Sequence, residues 1–216
     1  MKQEIKVWDI WIRLFHWMLV SLILFSWLSA ELGGNWMIWH TQAGFITAGL
    51  IVFRILWGFM GSSRARFKSF VRGPKIVAEY LRDSDKKTYL GHNPLGAFGV
   101  LGLIVLVSLQ VITGLFSNDD IFIEGPLAQF ISYDTSLAIT DAHELIFKLL
   151  MINIAIHVSA VIFYQRIKKQ PLIQAMFHGR KPASNSADLT QFATTASILT
   201  ALAIAAGVSV WLFSIG

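Results

Sequence analysis

Five long runs without a charged residue limit what this chain can fold into more than any single motif does. Residues 14–30, 36–53, 93–118, 149–165 and 189–216 contain no Asp, Glu, Lys or Arg. A helix that crosses a hydrocarbon layer needs about 20 mainly apolar residues, within a range of about 17–25. With their flanks, the runs predict helices over 11–30, 36–60, 94–116, 142–165 and 192–214, none with an interior proline. Composition points the same way. Of 216 residues 55% are hydrophobic and 14% charged, against about 45–50% and about 25% in water-soluble domains. A single soluble core of this size could not enclose that much apolar surface. The expected class is an all-α integral membrane protein.

Local signals sharpen the helix ends. Asn93 followed by Pro94 is a cap with proline in the first turn, which opens the third span. Thr140, Asp141 and Glu144 give the acidic, capped start expected of the fourth. Arg13, His16 and the bulky Trp17, Phe25 and Trp27 fit a retained first helix better than the short apolar region of a cleaved signal. The chain divides into residues 1–181 with four spans, a linker over 182–190 (Pro182, Ser184, Asn185, Ser186, Asp188) and a fifth span in 191–216. No internal repeat is visible.

Lysine and arginine set the direction of insertion. Lys2, Lys6 and Arg13 lie at the amino terminus. Arg64, Arg66, Lys68, Arg72, Lys75, Arg82, Lys86 and Lys87 lie between spans two and three, and Arg166, Lys168, Lys169, Arg180 and Lys181 follow span four. The connections at 31–35 and 117–140 hold no Lys or Arg, but do hold Glu31, Asp119, Asp120, Glu124 and Asp134. The amino terminus is therefore expected in the cytoplasm and the carboxyl terminus in the periplasm. The net charge of +5 is thus a topology signal, and nucleic acid is not an expected partner. Pro74 opens an amphipathic stretch with Ile76, Val77, Tyr80 and Leu81 on one side, suited to the inner membrane surface. The connection around Gly125–Tyr133 is expected to cover the outer end of the bundle.

Ionisable side chains inside a bilayer are costly, and they mark function. His16 falls in span one, His40 in span two, and His143 and His157 in span four; His92 and His178 fall in connections on the basic side. His143 and His157 are 14 residues apart, which puts them on nearly one helical face and roughly 21 Å apart along the axis. The direction of each span then pairs the four by depth: His16 with His157 on the inner side, His40 with His143 on the outer. Two stacked bis-histidine sites are what two non-covalent b-type haems across a membrane require. The absence of cysteine excludes thiolate-ligated clusters and a covalently attached c-type haem. A single zinc site is disfavoured because the two levels are too far apart for four ligands. A proton-relay transporter would want an intramembrane carboxylate beside the histidines. Arg13, one turn before His16, and Arg54, at the inner depth of span two, are candidates to neutralise the inner haem's propionates. Lys148 is off the His143 face, within reach of the outer propionates or of Glu144. Gly44, Gly49, Gly96, Gly99, Gly102 and Gly114 could let a macrocycle approach the backbone. Most of the tryptophans belong to interfacial belts.

These residues resemble the di-haem cytochromes b of the bacterial nickel–iron hydrogenase type. The likeness rests on Val7-Trp8-Asp9, Arg13-Leu14-Phe15-His16-Trp17, His40-Thr41-Gln42-Ala43-Gly44, Phe53-Arg54 with Trp57-Gly58, Gly91-His92-Asn93-Pro94-Leu95-Gly96, Thr113-Gly114-Leu115, the pair His143 and His157, and Met176 through Lys181. It covers roughly residues 7–181; the fifth span lies beyond it. The resemblance implies a four-helix haem-binding bundle plus a fifth helix. It also implies an inner-membrane carrier between the quinone pool and a periplasmic redox protein, either a cytochrome c or a hydrogenase. Quinone chemistry moves protons, and His92 is the candidate near the inner edge, against its reading as a plain surface histidine. One alternative is a superoxide:quinone oxidoreductase acting at the outer haem, which would need a cationic approach that the outer loops lack. The other is an anchor whose haem is only structural.

Overall fold

The computed structural model describes residues 3–82, 91–121, 123–183 and 190–216. The chain opens with a short strand, β1 (Gln3–Lys6), and enters α1 (Ile10–Leu32) through Asp9, whose carboxylate accepts from the Ile12 amide at 2.8 Å. Gly33 and Gly34, both at positive φ, turn the chain into α2 (Trp36–Met60). A short helix α3 (Phe67–Phe70) and the amphipathic α4 (Pro74–Arg82) follow. The Asn93 side chain caps α5 (Pro94–Phe116) by accepting from the Gly96 amide at 2.6 Å. Next come a 3₁₀ turn (Ala128–Phe130), α6 (Tyr133–Arg166), α7 (Leu172–His178), β2 (Arg180–Ala183) and α8 (Thr195–Ile215). Helices α1, α2, α5, α6 and α8 are long and apolar enough to cross a membrane. Lys2, Lys86 and Lys87, and Ser184, Asn185, Ser186 and Asp188 of the linker, lie outside the described residues.

The expected ranges of α2 and α5 match the structure. The start of α6 does not. It begins nine residues before 142, capped by Ser132 rather than by the Thr140, Asp141 and Glu144 group. The reason is a fold-back of the preceding connection. The Gly125 and Leu127 amides bond the Ser117 and Leu115 carbonyls at 2.7 and 2.9 Å. Ser136 donates to the Phe116 carbonyl at 2.7 Å, and Thr140 exchanges bonds with the Asn118 backbone at 3.0 and 3.1 Å. Thr140 therefore ties the interior of α6 to the end of α5 instead of capping a helix. Glu144 sits 3.9 Å from Lys148. At the other end of the molecule, α4 buries Tyr80, whose hydroxyl meets that of Tyr164 on α6 at 2.9 Å, and leaves Ile76 outward.

Helix α2 is the hub, packed against α1, α5 and α8, while α6 packs along α5 and, among the described residues, stands off from α1 and α2. The middle of the bundle is closed by an aliphatic layer. Leu19 and Ile23 of α1, Ile51 of α2, Leu103, Leu106 and Val107 of α5, and Leu150 and Ile154 of α6 meet there. Near the amino terminus, β1 pairs antiparallel with β2, from Gln3 opposite Ala183 to Lys6 opposite Arg180. The Val7 and Trp8 amides continue onto the Gly179 carbonyl at 2.7 and 3.1 Å. Four-residue strands without alternation leave no sequence signal, so this clasp was not expected.

The fifth span is no loose appendage. Gly49 was expected to make room for a macrocycle, but it serves α8. A Cβ there would lie 2.2 Å from Ser209 Oγ and 2.7 Å from the Ala205 carbonyl oxygen. Ser209 donates to the Phe45 carbonyl at 3.0 Å across the same seam, which is the close small-residue packing that membrane helices favour. Gly49→Val should lower the thermal midpoint of the detergent-solubilised protein by an overpacking cost of about 1–3 kcal/mol. Gly207→Val, at a position with nothing within 4 Å of a built Cβ, should shift it much less. Equal shifts in the two variants would refute the tight seam.

Candidate functional site

Two of the intramembrane histidines face each other directly. His40, one turn into α2, and His143, on α6, have ring centroids 6.4 Å apart with planes at 76°. Their hydrogen bonds define which nitrogen each presents. His40 Nδ1 lies 2.8 Å from the Ser26 carbonyl of α1. A carbonyl only accepts, so Nδ1 carries the proton and Nε2 keeps its lone pair. His143 Nδ1 lies 3.0 Å from Thr113 Oγ1, and His143 Nε2 lies 2.8 Å from the Gln110 carboxamide nitrogen. Gly114 leaves the space for this ring: a Cβ there would come within 3.0 Å of His143 Cε1.

The spacing of the two rings suits one metal ion between them, for which His143 Nε2 would exchange its Gln110 contact. Two imidazoles on opposite sides of one metal, each bonded at about 2.0 Å, hold their centroids roughly 6–6.5 Å apart. Among the described residues no three His, Asp or Glu side chains converge. Gly44, one turn beyond His40, and Gly99 face open space, whereas Gly102 meets the Asn153 carboxamide and Gly96 meets its own cap residue Asn93.

At the basic end the side chains are closer to protein than the sequence suggested. His16 is half-buried, with its ring edge-on to Trp17 and its Nδ1 buried without a hydrogen-bond partner among the described residues. His157 lies within electrostatic reach of both His16 and His92. Arg13 donates through Nη1 to the Phe177 carbonyl and through Nε to the Asp9 carbonyl. Arg54 is only 2% exposed, with Nη1 bonded to the Ala65 carbonyl at 3.4 Å and its guanidinium over the Phe67 ring at 4.9 Å. Asp9, which lies close enough to act on that charge, also accepts from Trp57 Nε1 at 3.1 Å. Lys148 stands exposed beside Glu144 at the opposite end. His178 ends α7.

His92 is not a surface residue. Its ring lies between Trp8 and Phe70, with centroids at 4.9 and 4.8 Å, and its Nδ1 is buried without a hydrogen-bond partner among the described residues. Burial first, then the positive charges of Arg54 and Lys181 and the proximity of His157, push its pKa down to about 3. The imidazole is therefore neutral at physiological pH. Sequence reasoning also passed over the partners of the outer pair. The one available signal was that Gln110, Thr113 and Gly114 recur at helical spacing on a single face of an otherwise apolar span.

A histidine buried neutral couples stability to pH. Between about pH 6.5, where an unfolded histidine takes up a proton, and about pH 3 the unfolded chain binds more protons than the folded one. Stability must therefore fall as pH drops through that window. His92→Phe keeps the ring stack and removes the proton site. In detergent its thermal midpoint should fall less between pH 7 and pH 4 than that of the wild type. Parallel pH profiles would show that the His92 ring is accessible to protons in the folded state.

Comparison with known proteins accounts for this arrangement. The family described as prokaryotic cytochrome b561 has a model that matches residues 7–179, from the Val7-Trp8-Asp9 segment to the Gly179 turn and short of α8. No curated protein and no solved structure matches the chain. Five apolar spans, histidines inside them and a family match over most of the length lead to one conclusion: the chain belongs to the prokaryotic cytochrome b561 family, multi-pass membrane cytochromes that bind b-type haem and transfer electrons.

Proposed function

We propose that the protein is a di-haem cytochrome b of the inner membrane that carries electrons between the quinone pool and a periplasmic redox partner, a cytochrome c or a hydrogenase. His40 and His143 hold one b-type haem near the acidic, periplasmic end, and His16 and His157 hold the other near the basic, cytoplasmic end. The observation that carries the reading is the 6.4 Å opposition of His40 and His143, with their Nδ1 atoms engaged by Ser26 and Thr113. Bound haem supplies a one-electron ferric–ferrous couple.

The other residues have distinct tasks in this reading. The Leu150 layer separates the two levels and excludes water: Leu150 is 2% exposed and seven residues from each of His143 and His157. Arg13 and Arg54 place positive charge toward the inner propionates, Arg54 from behind the protein surface. The quinone binds at the basic end beside His92. A neutral imidazole there can orient a quinol by accepting a hydrogen bond from its hydroxyl at one nitrogen while donating one from the other. Direct action on superoxide at the outer haem is less well supported, because Lys148, the cation nearest that end, stands 3.9 Å from Glu144.

The purified chain should contain two haems per protein. His16→Ala and His157→Ala should each remove one and the same haem, and His40→Ala and His143→Ala the other, as read by redox-difference spectra. A preparation that stays colourless when the protein is produced with excess haem, or one haem lost in common by His16→Ala and His40→Ala, would overturn the assignment. His92→Leu should keep both haems while slowing their reduction by quinol about tenfold, the equivalent of one lost hydrogen bond. Wild-type reduction kinetics in that variant would remove His92 from the quinone site.

A further inference from the structure

The hydrogen bonds around His143 single out a residue on α5 that acts through the ligand rather than on the haem. Thr113 Oγ1 lies 2.8 Å from the Leu109 carbonyl, 3.1 Å from the Gln110 carbonyl and 3.0 Å from His143 Nδ1. A threonine hydroxyl has one proton to give, and the two carbonyls can only accept. Given back to its own helix, that proton leaves the hydroxyl lone pair facing His143, where it accepts from Nδ1–H. His143 Nε2 is then unprotonated; it meets the Gln110 carboxamide nitrogen at 2.8 Å and would exchange that contact for the iron.

We propose that Thr113 is a positioning residue for the outer haem: its hydroxyl fixes the His143 tautomer and strengthens the imidazole as an iron ligand. This rests on the reading of His143 as that ligand. A hydrogen bond accepted from the far nitrogen raises the basicity of a ligating histidine, which favours ferric over ferrous iron and lowers the midpoint potential. His40 carries the equivalent bond to the Ser26 carbonyl. On the inner pair, His16 Nδ1 is buried and has no such partner among the described residues. The outer haem is therefore the lower-potential one. The acidic outer end and the buried Arg54 near the inner level act in the same sense.

The test is a spectroelectrochemical titration of the full, haem-loaded chain, with the outer haem identified by its loss in His143→Ala. Thr113→Val should raise the lower midpoint by about the equivalent of a tenfold change in the ferric-to-ferrous ratio, 59 mV for one electron, and leave the upper one in place. Thr113→Ser, which keeps the hydroxyl, should behave as wild type. Loss of the outer haem in Thr113→Val but not in Thr113→Ser would equally support the role. Wild-type midpoints in Thr113→Val, or equal shifts in Val and Ser, would overturn it. Retention of both haems in His143→Ala would instead refute the ligand assignment on which it depends.

Discussion

A pair of imidazoles can grip one metal only if the helices that carry them are kept from closing on each other. Here the separation is structural. Helix α6 is fastened to α5 along its length and, among the described residues, stands off from α1, which bears His16, and from α2, which bears His40. Midway, Leu150 and Ile154 join Ile51, Leu19 and Ile23 in one aliphatic layer that closes the gap between the helices. Without water in the hydrocarbon, that layer is held by packing rather than by a hydrophobic driving force. It works because α2 is braced from its other side by α8.

That bracing gives the fifth span a mechanical role that needs no redox chemistry. The seam through Gly49, Ala205 and Ser209 is closer than any larger residue would allow. A helix pressed on both sides presents His40 at a fixed height and rotation. The bond from His40 Nδ1 to the Ser26 carbonyl then locks the ring against α1. The outer site is thus set by three successive contacts: α8 on α2, α2 on α1, and α5 on α6.

The five spans were legible because they rest on hydropathy and on the need of a helix in hydrocarbon to satisfy its own backbone. Helix ends outside the hydrocarbon were less so. Thr140 has the look of a cap, but Ser132 offers the same chemistry eight residues earlier, and only the fold-back of residues 117–127 decides between them. Gly49 could serve a cofactor or a helix, and its composition is silent on which. His92 read as a surface residue because Trp8 and Phe70 reach it from distant parts of the chain. Gln110 and Thr113 were hidden for a different reason. Single uncharged polar residues in a span usually bond back to their own helix, as Ser108 does to the Ile104 carbonyl.

The two ends of the bundle differ in how they treat their histidines. At the acidic end, each ring has a hydrogen-bond partner on a neighbouring helix, so orientation is built in before any cofactor arrives. At the basic end the polar groups are committed to the protein itself: Arg13 to Phe177, Arg54 to Ala65 and Phe67, Asp9 to Trp57. Those contacts join α1, α2 and the segment after α6 into one clasp, completed by the pairing of β1 with β2. At the inner end, His92 and His16 keep buried nitrogens with no described partner, and a buried polar atom of that kind gains most from a ligand that can hydrogen-bond.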